Sequence, residues 1–164
     1  MSIDLKIKDL KGFNKKLNDR LMKKKVKEYV TRGTLMVQNT AKESIMKGGT
    51  GRMYEKYEPR RSHRASAPNQ PPASDTGFLV SNITMNVDAK ADGSVVGQII
   101  SSAPYSKHLE FGTTTMTERP FMQPALQKNK RKIQAMFKRG ILKWVLVNLP
   151  YRVLYIALYL VITL

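Results

Sequence analysis

Between Tyr105 and Leu126 the chain reads Tyr-Ser-Lys-His-Leu-Glu-Phe-Gly, then Thr-Thr-Thr-Met-Thr-Glu, then Arg-Pro-Phe-Met-Gln-Pro-Ala-Leu. No other stretch constrains local architecture as tightly. An apolar turn or two of helix follows Pro104 and stops at Gly112, since glycine takes backbone angles that other residues avoid. Proline has no N–H to give, so Pro120 and Pro124 fit only where a helix begins. A second helix is therefore expected, with its first secure turn over residues 121–125 and continuing through Phe137. Ala125, Leu126, Ile133, Met136 and Phe137 fall on one stripe of it, and Lys128, Lys130, Arg131, Lys132, Lys138 and Arg139 lie outside that stripe. Thr113, Thr114 and Thr115 form the polar tip between the two helices.

Upstream, residues 10–46 fit one long helix. Leu10, Phe13, Leu17, Leu21, Val26, Val30, Val37, Ala41 and Ile45 recur at helical steps with charged residues between them. Gly33 weakens its middle by about 1 kcal/mol relative to alanine, which allows a bend or break near residues 31–34. The run Gly48-Gly49-Thr50-Gly51 ends the helix. It is no phosphate loop, because neither a preceding strand nor the Gly-Lys-Ser/Thr ending is present. Residues 52–57 alternate well enough for a short strand. Residues 59–75, with prolines at 59, 68, 71 and 72, read as a long loop of the kind laid over a neighbour.

Asp75-Thr76-Gly77 precedes Phe78-Leu79-Val80 as a capped turn, with Asp75 expected to accept backbone N–H groups. Two strands follow, at about residues 84–87 and 94–101, joined through Asp92-Gly93, a strong hairpin signal. Ile83, Met85 and Val87 form one apolar row, with Val96 and Ile99 or Ile100 facing it. A lone hairpin is marginal in water, so it is expected to pack on the long helix or extend a neighbouring sheet. The fold class is thus mixed α+β: a long N-terminal helix on a small antiparallel sheet, then a C-terminal helix and an apolar tail.

The chain of 164 residues, 41% apolar, is long enough for one core. Its 29 basic and 12 acidic residues give a net charge of +17. That excess attracts polyanions or acidic partner surfaces. Residues 1–64 carry +11, residues 65–118 carry −3 and residues 119–164 carry +9. Lys23-Lys24-Lys25, Arg60, Arg61, Arg64, Lys130 and Arg131 are candidate polyanion contacts, against the plainer reading of solvated faces. Basic and aromatic residues do not interleave in a strand pattern and no reading motif is present, so the charge gives salt-sensitive, sequence-blind attraction to DNA.

Chemistry is poorly supplied. With no cysteine, disulfides and thiolate metal sites are excluded. His63 and His108 are 45 positions apart with no ligand-spaced companion, and the acidic residues fall in separate turns and elements. No Gly-x-Ser-x-Gly occurs. No catalytic set, cofactor or metal is expected. The N-terminus lacks the apolar core of a secretion signal, which points to synthesis in the cytoplasm.

Residues 141–164 are apolar on every side but broken by Lys143, Asn148, Pro150 and Arg152. The uninterrupted run of ten residues, 153–162, is about half of what a membrane-crossing helix needs. Trp144 and Tyr155 belong to this tail. It either buries itself between subunits or against a partner, or lies at a membrane surface.

His63-Arg-Ala-Ser-Ala-Pro68, Asp75-Thr-Gly-Phe-Leu79 with Ser81-Asn-Ile83, Tyr105-Ser-Lys-His-Leu-Glu-Phe-Gly112 and Arg119-Pro-Phe-Met-Gln-Pro-Ala-Leu126 occur in an order and spacing that resemble the neck or tail-completion (head-tail joining) proteins of long-tailed bacteriophages. The resemblance covers about residues 10–140. It implies a structural subunit that forms a ring with copies of itself, between a capsid connector or stopper protein and a tail terminator, tail tube or tape-measure protein. Genomic DNA would pass through without sequence readout, and the location would be the virion's head-tail junction. On the matching residues, Asp75, Gly77 and Leu79 set the capped turn, and Tyr105, Leu109, Glu110, Phe111 and Gly112 set the short helix and its end. Arg119, Pro120, Phe121 and Pro124 fix the start of the last core helix. Glu110 and Arg119 are candidates for a charged pair, within or between subunits. Residues 1–140 would be the joining domain; residues 141–164 extend beyond the family pattern, for intersubunit or partner contact. The competing classes are a sequence-nonspecific DNA-binding protein and a small membrane-associated protein.

Overall fold

Strict alternation of polar and apolar residues makes Ser2–Lys6 the first strand, β1, in the computed structural model, which describes residues 2–6, 19–57 and 60–148. The helix α1 follows, Asp19–Met46, and it runs through Gly33 without a break. The break that a mid-helix glycine allows does not occur, and Gly33 is buried beside buried Val30, Thr34 and Val37. Residues 10–18 of the expected helix lie outside the described residues. Next come β2 (Met53–Tyr57), β3 (Arg60–Arg64), a single turn α2 (Phe78–Ser81), β4 (Ile83–Ala89), β5 (Val95–Ser101), the short α3 (Ser106–Phe111) and α4 (Met122–Asn148).

The main sheet has the order β1-β5-β4 and is antiparallel throughout, with Ile3 opposite Ile99 and Met85 opposite Ile99 on the other side. As the central strand, β5 buries Val95, Val96, Gly97, Ile99 and Ser101. The hairpin between β4 and β5 closes where expected, with Lys90 N–H on Ser94 O at 2.8 Å and the Asp92 carboxylate accepting from Ser94 N–H at 2.9 Å. Val96 does not face the Met85 row. It is opposite Asp88, so pleat alternation gives that row to Val95, Gly97, Ile99 and Ser101.

Helix α1 lies on this sheet with Val30, Val37, Ala41 and Ile45 buried. The approach is closest at Gly97, where an added Cβ would sit 2.0 Å from Thr34 Oγ1. Gln38 Nε2 donates to Ile83 O at 3.0 Å and ties the helix to the first residue of β4. On the first turns of α4, buried Asn129 donates to Thr40 Oγ1 at 2.8 Å and to Ala125 O at 2.9 Å. A buried amide with both protons engaged fixes the relation of α1 to the start of α4.

The expected loop from residue 59 is shorter than its prolines imply. Arg60–Arg64 is a strand paired with β2 in a separate two-stranded ribbon, from Met53 opposite Arg64 to Tyr57 opposite Arg60. Nor does the remainder reach out as an arm. Ser66 and Pro72 are buried, Asn69 N–H meets Glu118 O at 3.0 Å, and Ser74 N–H meets Ile45 O at 3.1 Å. These bonds satisfy backbone groups on the chain's own body.

Packing divides the chain into residues 1–129 and residues 130–164, with the boundary inside α4. In the second unit α4 continues past Gly140 to Asn148, with Ile133 and Phe137 buried. Among the described residues, no helix is long and apolar enough to cross a membrane.

Candidate interaction site around Glu110 and Arg119

Glu110 closes α3 onto α4. Its side chain is 2% exposed, and its carboxylate spans the connecting loop: Oε2 accepts the N–H groups of Phe121 at 2.9 Å and Met122 at 3.0 Å, and Oε1 accepts that of Gln123 at 2.8 Å. The first N–H groups of a helix have no partner inside it. Here a side chain from the preceding helix supplies all three acceptor contacts, and its negative charge meets the positive end of the α4 dipole. Phe121 and Met122, each 1% exposed, anchor that end in the core.

The loop itself is pinned at its base. Arg119 N–H donates to Leu109 O at 2.6 Å and Thr113 N–H to Met116 O at 2.8 Å, while Thr113 Oγ1 accepts from Met116 N–H at 3.0 Å. Gly112 ends α3 at φ 72°, and a Cβ there would lie 2.8 Å from Met116 O. Only glycine satisfies both the backbone angle and the space.

The expected pair between Glu110 and Arg119 does not form within the chain. Both Glu110 oxygens are committed to α4, and among the described residues no ion pair joins the two. Arg119 Nε is buried without a hydrogen-bond partner.

Arg119 lines an open cleft of about 310 Å³. All four sequence segments singled out above contribute to it: His63 and Ser66 from the first, Asp75, Gly77 and Leu79 from the second, Tyr105 and Leu109 from the third, Arg119 from the fourth. In its lining, Phe78 and Tyr105 are half-exposed with ring centroids 6.3 Å apart.

Asp75 reaches across to the ribbon. The turn α2 has Gly77 at its N-cap in the left-handed region, and Phe78 N–H reaches Thr76 Oγ1 at 3.3 Å. The Asp75 carboxylate is ion-paired with Lys56 of the ribbon, and its other oxygen lies 3.9 Å from His63 Nδ1. It therefore staples the ribbon to the α2 turn.

No family model matches this chain, and no curated protein or solved structure matches it either.

The remaining candidates are dispersed. Lys23, Lys24 and Lys25 are exposed on α1, with Lys25 Nζ 2.9 Å from Glu28 Oε2. The hydrogen bond to Glu28, then its charge, holds Lys25 above its ordinary pKa; the same bond and charge hold Glu28 below its own. Arg60, Arg61 and Arg64 fall on β3, with Arg64 exposed. Across the ribbon Tyr57 is opposite Arg60 and Tyr54 is opposite His63, while Arg61 is opposite Lys56 and Arg64 opposite Met53. Lys130 and Arg131 are exposed on α4. Trp144 lies on α4, and Tyr155 lies outside the described residues. Among the described residues, no group of three or more His, Asp or Glu side chains could hold a metal ion.

Proposed function

We propose that the chain is a non-catalytic structural subunit of a phage neck or tail-completion ring, joining the tail to the capsid connector and extending or sealing the DNA channel. One observation supports this reading above others: the four separate segments that carry the family resemblance all line one cleft. A surface built from segments that share nothing but their order is a surface with a common task. Exposed Phe78 and Tyr105 in a cleft holding an arginine have the composition of a protein-protein contact, in which aromatic and arginine side chains dominate.

In this reading a copy of the same chain docks at the cleft, and rotational closure reuses that contact around a channel. Arg119 takes a carboxylate from the neighbouring copy, since Glu110 of its own chain is occupied. The outer faces meet a capsid connector or stopper protein on one side and a tail terminator, tail tube or tape-measure protein on the other, at the head-tail junction of the virion.

Light scattering with negative-stain imaging of the purified chain tests the proposal. The expected result is ring particles with a mass several times 18.6 kDa that Arg119→Glu with Tyr105→Ala dissociates. A monomer at all concentrations, alone and in extracts of infected cells, refutes it.

A further inference from the structure

Helix α4 contains seven basic residues and no acidic one: Lys128, Lys130, Arg131, Lys132, Lys138, Arg139 and Lys143. All seven are exposed, and none has an ion-pair or hydrogen-bond partner among the described residues. Their spacing is not random. Lys128, Lys132, Arg139 and Lys143 are separated by four, seven and four residues, which puts them in one row along the helix. At about 1.5 Å per residue the row is about 22 Å long. Arg131 and Lys138, seven residues apart, form a second row beside it.

Like charges at three- and four-residue spacing repel, so this face opposes its own helix by a few tenths of a kcal/mol per pair. An isolated chain gains nothing from it. A polyanion laid along the helix removes the repulsion and adds attraction.

We infer that this face of α4 binds the phosphate backbone of double-stranded nucleic acid, without reading its sequence. Two other partners for a basic helix fit less well. An amphipathic helix at a membrane needs its apolar side free, whereas Ile133 and Phe137 are 4% and 7% exposed. An acidic protein surface would be met by anchors such as tyrosine or tryptophan among the charges. The row contains flexible cations only, which is sufficient for phosphates at a regular spacing and for release of their counterions. Because the inference rests on α4 alone, it stands or falls apart from ring formation.

The test is binding of the full chain to a 30-base-pair duplex of arbitrary sequence, followed by fluorescence anisotropy from 50 to 200 mM KCl. Six engaged cations predict an affinity loss of about a thousand-fold over that range, from a slope of about 0.9 per phosphate contact. The variant Lys128→Gln/Lys132→Gln/Arg139→Gln/Lys143→Gln should lose only about ten-fold over the same range, because about two contacts remain. A charge-matched control, Arg32→Gln/Lys47→Gln/Lys90→Gln/Lys107→Gln, removes four exposed cations elsewhere and should keep the wild-type slope. Circular dichroism establishes that each variant is folded. Equal slopes for the two variants would attribute the binding to net charge and overturn the assignment. So would no duplex binding at 50 mM KCl, or equal affinity for polyglutamate or for vesicles rich in phosphatidylserine.

Discussion

The Oε1 atom of Glu110 accepts the backbone N–H of Gln123 at 2.8 Å, so the last long helix begins on a side chain from the helix before it. Glu110 is buried and has three donors pointed at it. Glu110→Ala leaves those donors without acceptors in a dry site and should cost about 3 kcal/mol. Glu110→Gln keeps one acceptor oxygen but turns an NH2 toward an N–H, and should cost about 2 kcal/mol. Chemical denaturation measures both. A loss below that of an ordinary surface substitution would mean that the bonds do not hold the start of α4.

Gly97 and Thr34 make the second test. A methyl group at 97 collides with the Thr34 hydroxyl, so Gly97→Ala should destabilise by about 2 kcal/mol through overpacking between α1 and β5. Thr34→Ala removes the colliding oxygen. In a double-mutant cycle the pair should lose less than the sum of the single changes, by at least about 0.5 kcal/mol. Strict additivity would place the strain of Gly97→Ala elsewhere.

Asp75 links the two-stranded ribbon to the α2 turn through Lys56, with His63 nearby. Asp75→Asn removes the charge that both face. Hydrogen exchange in residues 53–57 and 60–64 should accelerate while exchange in β5 stays as it was, since a two-stranded ribbon has little stability of its own. Unchanged protection of the ribbon would show that the ion pair does not hold it.

The Lys25–Glu28 pair gives a pH dependence with a defined sign. Glu28, depressed by the hydrogen bond and charge of Lys25, stabilises the helix above its ordinary pKa, and that support is lost as pH falls through the lowered value. Lys25, raised by the same bond, adds support below its ordinary pKa that is lost as pH rises through the raised value. Both side chains are exposed, so the contribution is small and sensitive to salt. In an NMR titration the Glu28 carboxyl should have its midpoint below that of free glutamate. Lys25→Gln should bring it most of the way back, with Arg32 and Lys24 accounting for the remainder.

Much of the fold can be read directly from short-range rules. Helical periodicity in α1, the Asp92-Gly93 turn, Gly112 as a stop and prolines as a start each require only neighbouring residues, and each is where the sequence places it. Strand β1 was also within reach, because Ser-Ile-Asp-Leu-Lys alternates, but its partner is β5, more than 90 residues away. The site was harder. That Tyr105, Glu110 and Arg119 fall in one region follows from their nearness in sequence, yet which group Glu110 binds depends on how the loop folds back. A carboxylate a short loop away from an arginine suggests an ion pair; here three converging backbone donors hold the carboxylate instead. The ion pair of Asp75 with Lys56 was out of reach for a related reason, since the two lie 19 residues apart in different parts of the fold.

The bonds at the base of the loop after α3 have a further effect. With Arg119 tied to Leu109, Glu118 to Asn69 and Thr113 to Met116, residues 113–118 form a peg whose shape is set before anything touches it. Ordering a free segment would consume about 1–2 kcal/mol per residue at the moment of contact. A neighbour meeting this peg finds that entropy already spent during folding, so even a small footprint can hold.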